Sequence, residues 1–302
     1  MPLPASLGLR LSALHAATFT GIGVYLSFFP VWLQSRAMSA TTIGLVIAVP
    51  ILVRIVAAAP LLTLADRRLG PRRLLIGCHG VQIALYPVLF FVENELAITA
   101  MVALLAVAQA AVIPGNDLVT TNAIRDGAHL NYGRVRVWGS VAFLSASIAA
   151  GYLVDALGPQ IILWALALTP LIALVTTMLA LPPGAAPVRA LGAPEAAPAT
   201  VSLPRVLWLV MAGVAATQAS HGAIYAFGSI HWRALGFSYT AIGYLWAIGV
   251  VAEIGIFYFL GQAVGRKRAA LGLIMLGGAA AAVRFATLAL DPSLAVTFGL
   301  QA

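Results

Sequence analysis

Residues 39–73 read SATTIGLVIAVPILVRIVAAAPLLTLADRRLGPRR: a polar start, a long apolar run, then a burst of charge. The chain repeats itself 199 positions later, where residues 238–268 read SYTAIGYLWAIGVVAEIGIFYFLGQAVGRKR. Adding 199 takes Ser39 to Ser238, Ile43 to Ile242, Gly44 to Gly243, Ala48 to Ala247, Ile55 to Ile254 and Arg67 to Arg266 without a gap. The same shift sets Arg54 against Glu253 and Asp66 against Gly265. An ungapped repeat that joins an apolar helix to a basic loop marks a duplicated helical bundle. Chance pairing of apolar runs explains it poorly, because Ser, Gly and Arg match along with the aliphatics.

The solvent of that bundle follows from charge. Only 9% of the 302 residues are charged and 62% are hydrophobic, where a soluble domain carries about a quarter charged. The mean hydropathy is +1.00. A spanning helix needs roughly 20 mostly apolar residues. Nine such segments stand at about 11–33, 42–65, 73–92, 96–116, 137–156, 160–181, 205–229, 240–263 and 269–289, and a tenth begins near 293. No A-x-A-like cleavage site precedes a polar mature domain, so the first segment is expected to stay in the membrane.

Alternating the loops sorts the 17 Lys and Arg residues into 13 on one side, only Arg36 and Arg233 on the other, and Arg54 and Arg284 inside segments. This asymmetry predicts a multi-pass protein of the cell (inner) membrane with its N-terminus and basic loops cytoplasmic. It also accounts for a pI near 10.3 without a nucleic-acid partner. The single cysteine, Cys78, excludes a disulfide framework and a Cys-based metal site. No metal or other cofactor is expected. Residues 182–204 form an Ala/Pro-rich stretch that reads as a cytoplasmic linker. The expected organisation is therefore a six-helix bundle over 1–181, the linker, and a partial second bundle over 205–302. If each half is about 200 residues, two halves need about 400, and the reading expects two or three further helices beyond Ala302.

The loop LTLADRRLGPRR (residues 62–73) resembles the G-x-x-x-D-R-x-G-R-R signature of the major facilitator superfamily. Asp66 and Arg67 match; Gly70, Arg72 and Arg73 match with one inserted residue; Leu62 stands where the Gly belongs. The second copy has Gly261 and Arg266 but Gly265 in place of the Asp. NYGRVRVWGSVAF (residues 131–143), with the first and eighth segments, resembles phenylpropionate-permease-like transporters, relatives of proton-coupled sugar and nucleoside symporters. The R-x-x-Q-G pattern of some superfamily members is absent from the fourth segment: Gln109 and Gly115 are there without the arginine. The resemblance implies an all-α integral membrane fold of two six-helix bundles, the second incomplete. It also implies alternating access to a central site near the midplane, most plausibly as a monomer.

An ionisable group at the bilayer centre costs several kcal/mol unless it is paired or wet. Arg54 lies 12 residues before Asp66, roughly 18 Å from the basic edge, and Glu253 takes the same depth in the other half. For Arg54 two readings stand: a clamp for a substrate carboxylate, whose geometry its planar fork matches, or a structural ion pair. For Glu253 they are the coupling proton's carrier or structural pairing. His221 and Tyr225 share a helix face and would either bind substrate or join helices. Tyr25, Phe28, Phe29 and Trp246 would stack on an aromatic acid or merely pack. Trp32 and Trp232 are expected in an interfacial belt, and Arg284 is expected to snorkel outward. Asp66, Arg67, Arg72, Arg73, Asp117, Arg134 and Arg136 gather at the basic boundary, as a gate latch or as plain topology.

The leading function is proton-coupled uptake of a small organic acid, with aromatic acids among the candidates. Its partners would be a small-molecule substrate, protons and the lipid bilayer. The alternatives are a proton-coupled sugar or nucleoside symporter and a non-transporting membrane protein of the same fold. The absence of a P-loop, metal-ligand spacing or nucleophile triad speaks against an enzyme.

Overall fold

The computed structural model describes residues 6–181, 204–260 and 267–302; most of the expected linker lies outside them. The described residues are all-helical. The helices are α1 (Ser6–Ser35), α2 (Ala40–Leu64), α3 (Gly70–Val88), α4 (Glu95–Ala110), α5 (Val112–Arg125), α6 (Tyr132–Leu157), α7 (Ile161–Ala180), α8 (Arg205–Ala234), α9 (Tyr239–Leu260), α10 (Lys267–Leu288) and α11 (Leu294–Gln301).

Among the described residues six helical stretches are long and apolar enough to cross a membrane, not the nine to ten expected: Leu7–Ser35, Ala40–Val88, Glu95–Arg125, Tyr132–Leu157, Ile161–Ala180 and Tyr239–Ile256. Two expected segments merge because α2 runs into α3 through a π-helical turn, Ala65–Leu69. The chain bends there at Gly70, whose φ of 75° only glycine adopts freely. α8 falls short because Thr217, Gln218, Ser220 and His221 interrupt its apolar run, and the apolar part of α10 described, Ile274–Leu288, is too short. The α4/α5 stretch breaks at Ala111 because Pro114 has no N–H and its ring clashes with the carbonyl of Ala110.

The 199-residue repeat is visible helix by helix. Shifting α1 by 199 gives the bounds of α8, and shifting the first residues of α2 and α4 gives those of α9 and α11. Each turn between the paired helices has one left-handed residue, Ala37 (φ 59°) and Gly236 (φ 87°). Each following helix is capped by a serine: Ser39 Oγ accepts from Thr42 N at 3.1 Å and Ser238 Oγ from Ala241 N at 3.1 Å.

The two halves meet at the Arg-poor end. Ser229 Oγ donates to the carbonyl of Ser27, Trp246 Nε1 donates to Ser229 Oγ at 2.8 Å, and Ser27 Oγ donates to Ser147 Oγ at 2.9 Å. Asp155, near the end of α6, accepts from the backbone N–H groups of Tyr239 (3.0 Å) and Thr240 (2.7 Å), and from the Thr240 hydroxyl (2.7 Å). It thereby caps the N-terminus of α9 from the other half, where a carboxylate also complements the helix dipole. α6 and α9 touch backbone to backbone: a Cβ on Gly243 would sit 2.5 Å from the Ser147 carbonyl, and one on Gly151 would collide with the Tyr239 carbonyl. Among the described residues every hydrogen bond between the halves lies at this end. The first part of α8, including Val206, Trp208 and Leu209, is exposed at the other end.

The two tryptophans expected in the interfacial belt lie elsewhere. Trp32 and Trp232 are fully buried. Trp32 donates to Gln160 Oε1 at 3.2 Å, and Trp232 packs edge-on against Trp246. Depth alone suggested a belt; partners within each residue's own half pack against them instead. Exposed aliphatics instead mark helix faces such as that of α2, where Leu45, Leu52, Ile55 and Val56 face outward as a lipid-facing surface requires.

Because a Cβ at position 243 must push two backbones apart, Gly243→Ala is expected to cost about 1–3 kcal/mol. It should lower the thermal midpoint of the purified protein in detergent. Gly255→Ala, which meets nothing within 4 Å, should leave that midpoint unchanged or raise it.

Candidate functional site

Arg54 projects from an otherwise apolar stretch of α2 and turns inward. Its Nη2 donates to Gln109 Oε1 on α4, Gln109 Nε2 donates to Tyr86 Oη on α3 at 3.0 Å, and the guanidinium carbon lies 5.9 Å from the Tyr25 ring on α1. Four helices thus converge on one charge. Gln109 supplies the polar partner and two tyrosines supply the walls. The arginine missing from the fourth segment's expected pattern therefore arrives from α2. A guanidinium has five N–H donors, and the Nε of Arg54 is buried without a partner. The side chain is consequently under-satisfied where water is scarce, which favours an added anionic acceptor.

Beside it lies a cavity of about 230 Å³ lined by Tyr25, Arg54, His79, Gln82, Tyr86 and Gln109, with apolar wall from Ile22, Ile113 and Pro170. Every lining residue belongs to the first half. Phe28, expected beside Tyr25, is instead fully buried and packs edge-on against Tyr239. Tyr25, Phe29 and Trp32 form a continuous stack along α1.

The second half forms its own cluster. Tyr225 stacks on Trp246 with ring centroids 6.0 Å apart, and His221 lies 6.2 Å from Tyr225 and 5.7 Å from Phe285. His221 Nδ1 is tied to the carbonyl of Thr217 at 2.9 Å. Arg284 was expected to snorkel outward. It is half-buried, donates to Gln301 Oε1 on α11, and keeps an unpartnered Nε. Depth counted along α10 alone hides the partner that α11 brings alongside. Glu253 is exposed and two helical turns from Trp246 on the same face of α9. Both it and Arg284 are close enough to act electrostatically on Tyr225. Arg54 and Glu253 form no ion pair; each belongs to its own half's cluster.

The basic-end residues are not latched together. Asp117 accepts from Tyr132 Oη at 2.9 Å, Arg72 Nε donates to the carbonyl of Leu181 at 2.6 Å, and Arg136 stacks 3.9 Å above the Phe19 ring. Asp66 is half-buried in the π turn, and Arg67, Arg73 and Arg134 are exposed. Among the described residues the one ion pair is His231–Asp291, 3.2 Å, at the opposite end.

Sequence reasoning missed His79, Gln82, Tyr86 and the role of Gln109. A signal existed for the first three: they stand at i, i+3 and i+7 of an otherwise apolar segment, one helical face.

This architecture, duplicated helical halves around buried charge, is that of a membrane transporter. The chain matches the MFS_1-like family over residues 9–302 and belongs to it, within the major facilitator superfamily. It is 30% identical over 272 residues to the probable 3-phenylpropionic acid transporter of Escherichia coli, across 88% of this chain and 70% of that protein. It is 32% identical over 172 residues to the maltose permease of Geobacillus stearothermophilus, across 55% of this chain and 43% of that protein. The crystal structure of the nucleoside transporter NupG superposes with a TM-score of 0.68 at 15% identity, covering 86% of this chain and 68% of that one.

Replacing Gln109 by Leu leaves Arg54 with no side-chain acceptor while keeping the volume close. Loss of a buried charged hydrogen bond is expected to destabilise by about 1.5–3 kcal/mol, read as a lower thermal midpoint. The double variant Arg54→Met/Gln109→Leu should recover most of the loss, since no stranded charge remains.

Proposed function

We propose that this chain carries a small organic acid, an aromatic one in the favoured case, across the cell membrane with protons by alternating access. The basic loops lie in the cytoplasm, and residues 1–181 and 205–302 act as the two rocking halves. The single observation behind this reading is Arg54: a guanidinium at mid-helix depth, bordering a cavity, with one side-chain acceptor and an unpartnered Nε. Such a group favours a carboxylate. Tyr25 offers an aromatic face beside it. The name of the Escherichia coli relative points the same way.

On this reading Glu253 takes up the coupling proton; its carboxyl is exposed rather than buried as the sequence argument supposed, which leaves it accessible to protons, and it has no hydrogen-bond or ion-pair partner among the described residues. His221, Tyr225 and Trp246 form the facing wall. The charges at the basic end, Asp66, Arg67, Arg72, Arg73, Asp117, Arg134 and Arg136, meet when that end closes. They are apart here, while the Arg-poor end is sealed. A sugar symporter is the second reading, favoured by the maltose permease. A cavity of about 230 Å³ is small for a disaccharide.

The test is uptake of 3-phenylpropionate into proteoliposomes under an imposed pH gradient. Arg54→Ala should lower uptake at least tenfold at limiting substrate, and Glu253→Gln should abolish the pH-driven component while leaving counterflow. Acid uptake indifferent to Arg54→Ala would remove the clamp. Uptake of maltose but not of the acid would favour the sugar reading.

A further inference from the structure

The cavity has a second polar end that the clamp does not use. His79 is 1% exposed and lines the cavity, yet neither of its ring nitrogens has a partner. An imidazole carries a donor and an acceptor when neutral, and leaving both unmet in a buried site is costly. The other polar groups nearby are already engaged. Thr18 Oγ1 accepts from Asn116 Nδ2 at 2.9 Å, Thr169 Oγ1 donates to the carbonyl of Leu166 at 3.2 Å, and Gln82 Nε2 donates to the carbonyl of Cys78 at 3.2 Å. Gln82 and Thr18 each keep one bond unused, but His79 is the polar side chain at this end with no partner at all.

The two ends are separated by a definite length. His79 and Tyr86 are seven residues apart on α3, and Thr18 and Tyr25 are seven apart on α1. Seven residues rise about 10.5 Å. Both pairs border the cavity, so Thr18 and His79 mark one level and Tyr25, Tyr86, Gln109 and Arg54 the other. A cavity of 150 Å³ is known to hold benzene. The additional volume here, against about 230 Å³, leaves room for a short acid tail. In an extended 3-arylpropionate a ring oxygen opposite the tail lies about 8–9 Å from the carboxylate oxygens, by standard bond lengths.

We infer that His79 reads a polar substituent on the far end of the substrate's ring, so that the preferred substrate is a monocyclic aryl acid with a hydroxyl opposite its carboxylate tail. The inference rests on the acid-transport reading. It adds a specificity residue outside the charge cluster and selects the hydroxylated acids from among the aromatic ones. The mechanism is unpaired-group discrimination: a site holding a buried hydrogen-bonding group disfavours the analogue that leaves it empty. The unsubstituted acid still engages Arg54 but strands the imidazole.

The experiment compares binding of 3-phenylpropionate and 3-(4-hydroxyphenyl)propionate to the purified full chain in nanodiscs by calorimetry, with the 2-hydroxy isomer as a positional control. The wild type should bind the 4-hydroxy acid five- to tenfold more tightly than the other two. His79→Leu should bring all three within about twofold of one another, and His79→Gln should keep part of the preference. Equal wild-type affinity for the three acids overturns the inference and leaves the acid reading intact. So does a preference that survives His79→Leu in a protein with an unchanged thermal midpoint. If His79→Leu does not fold, the wild-type comparison of 4-hydroxy with 2-hydroxy isomers decides alone. Binding of none of the three overturns both readings.

Discussion

A guanidinium that cannot leave the bilayer's depth sets the terms for the first half of this protein. Arg54 sits on a helix whose other faces are aliphatic and exposed, so its charge must be answered from inside. Helices α1, α3 and α4 each contribute to that answer, through the Tyr25 ring, the Tyr86 hydroxyl and the Gln109 amide. None of these groups carries a formal negative charge. The result is a positively charged site built from neutral neighbours. Such a site holds together empty and still gains from an anion, whereas a guanidinium already paired with a carboxylate would have little left to offer a ligand.

The second half answers a comparable problem with different residues. The repeat sets Glu253 where the first half has Arg54, and the local positive charge comes instead from Arg284 on α10, held by Gln301 of α11. The duplicated backbone has thus been kept while the charges have been redistributed. Its caps and its left-handed turn residues still correspond. That contrast separates the scaffold, which lipid dictates, from the chemistry, which it does not.

Much of the scaffold was legible because its signals are local. Serine caps, basic loops and apolar runs announce helix ends within a few residues, and the 199-residue shift needed only comparison of the chain with itself. The depth of Arg54 was equally readable. Its partners were not, because Gln109 is 55 positions from Arg54 and 23 from Tyr86 in sequence and only packing brings them together. Packing likewise hid Arg284's contact with Gln301 and the burial of Trp32 and Trp232. Counting residues gives a position along the bilayer normal but no bearing around the helix axis. The span count failed differently: α2 and α3 join through a π-helical turn that a hydropathy profile sees as a gap.

The glycine seam between α6 and α9 gives the molecule a fulcrum. With no side chain between the two backbones at Gly151 and Gly243, the helices can swivel there without repacking a layer of side chains, while Asp155 tethers them just beyond. Gly151 is 19 residues from the start of α6 at Tyr132, about 28 Å along the axis, so a swing of about 10° at the seam carries that far tip about 5 Å. Leverage of this kind turns a small adjustment at the sealed end into an opening wide enough for a small molecule at the other.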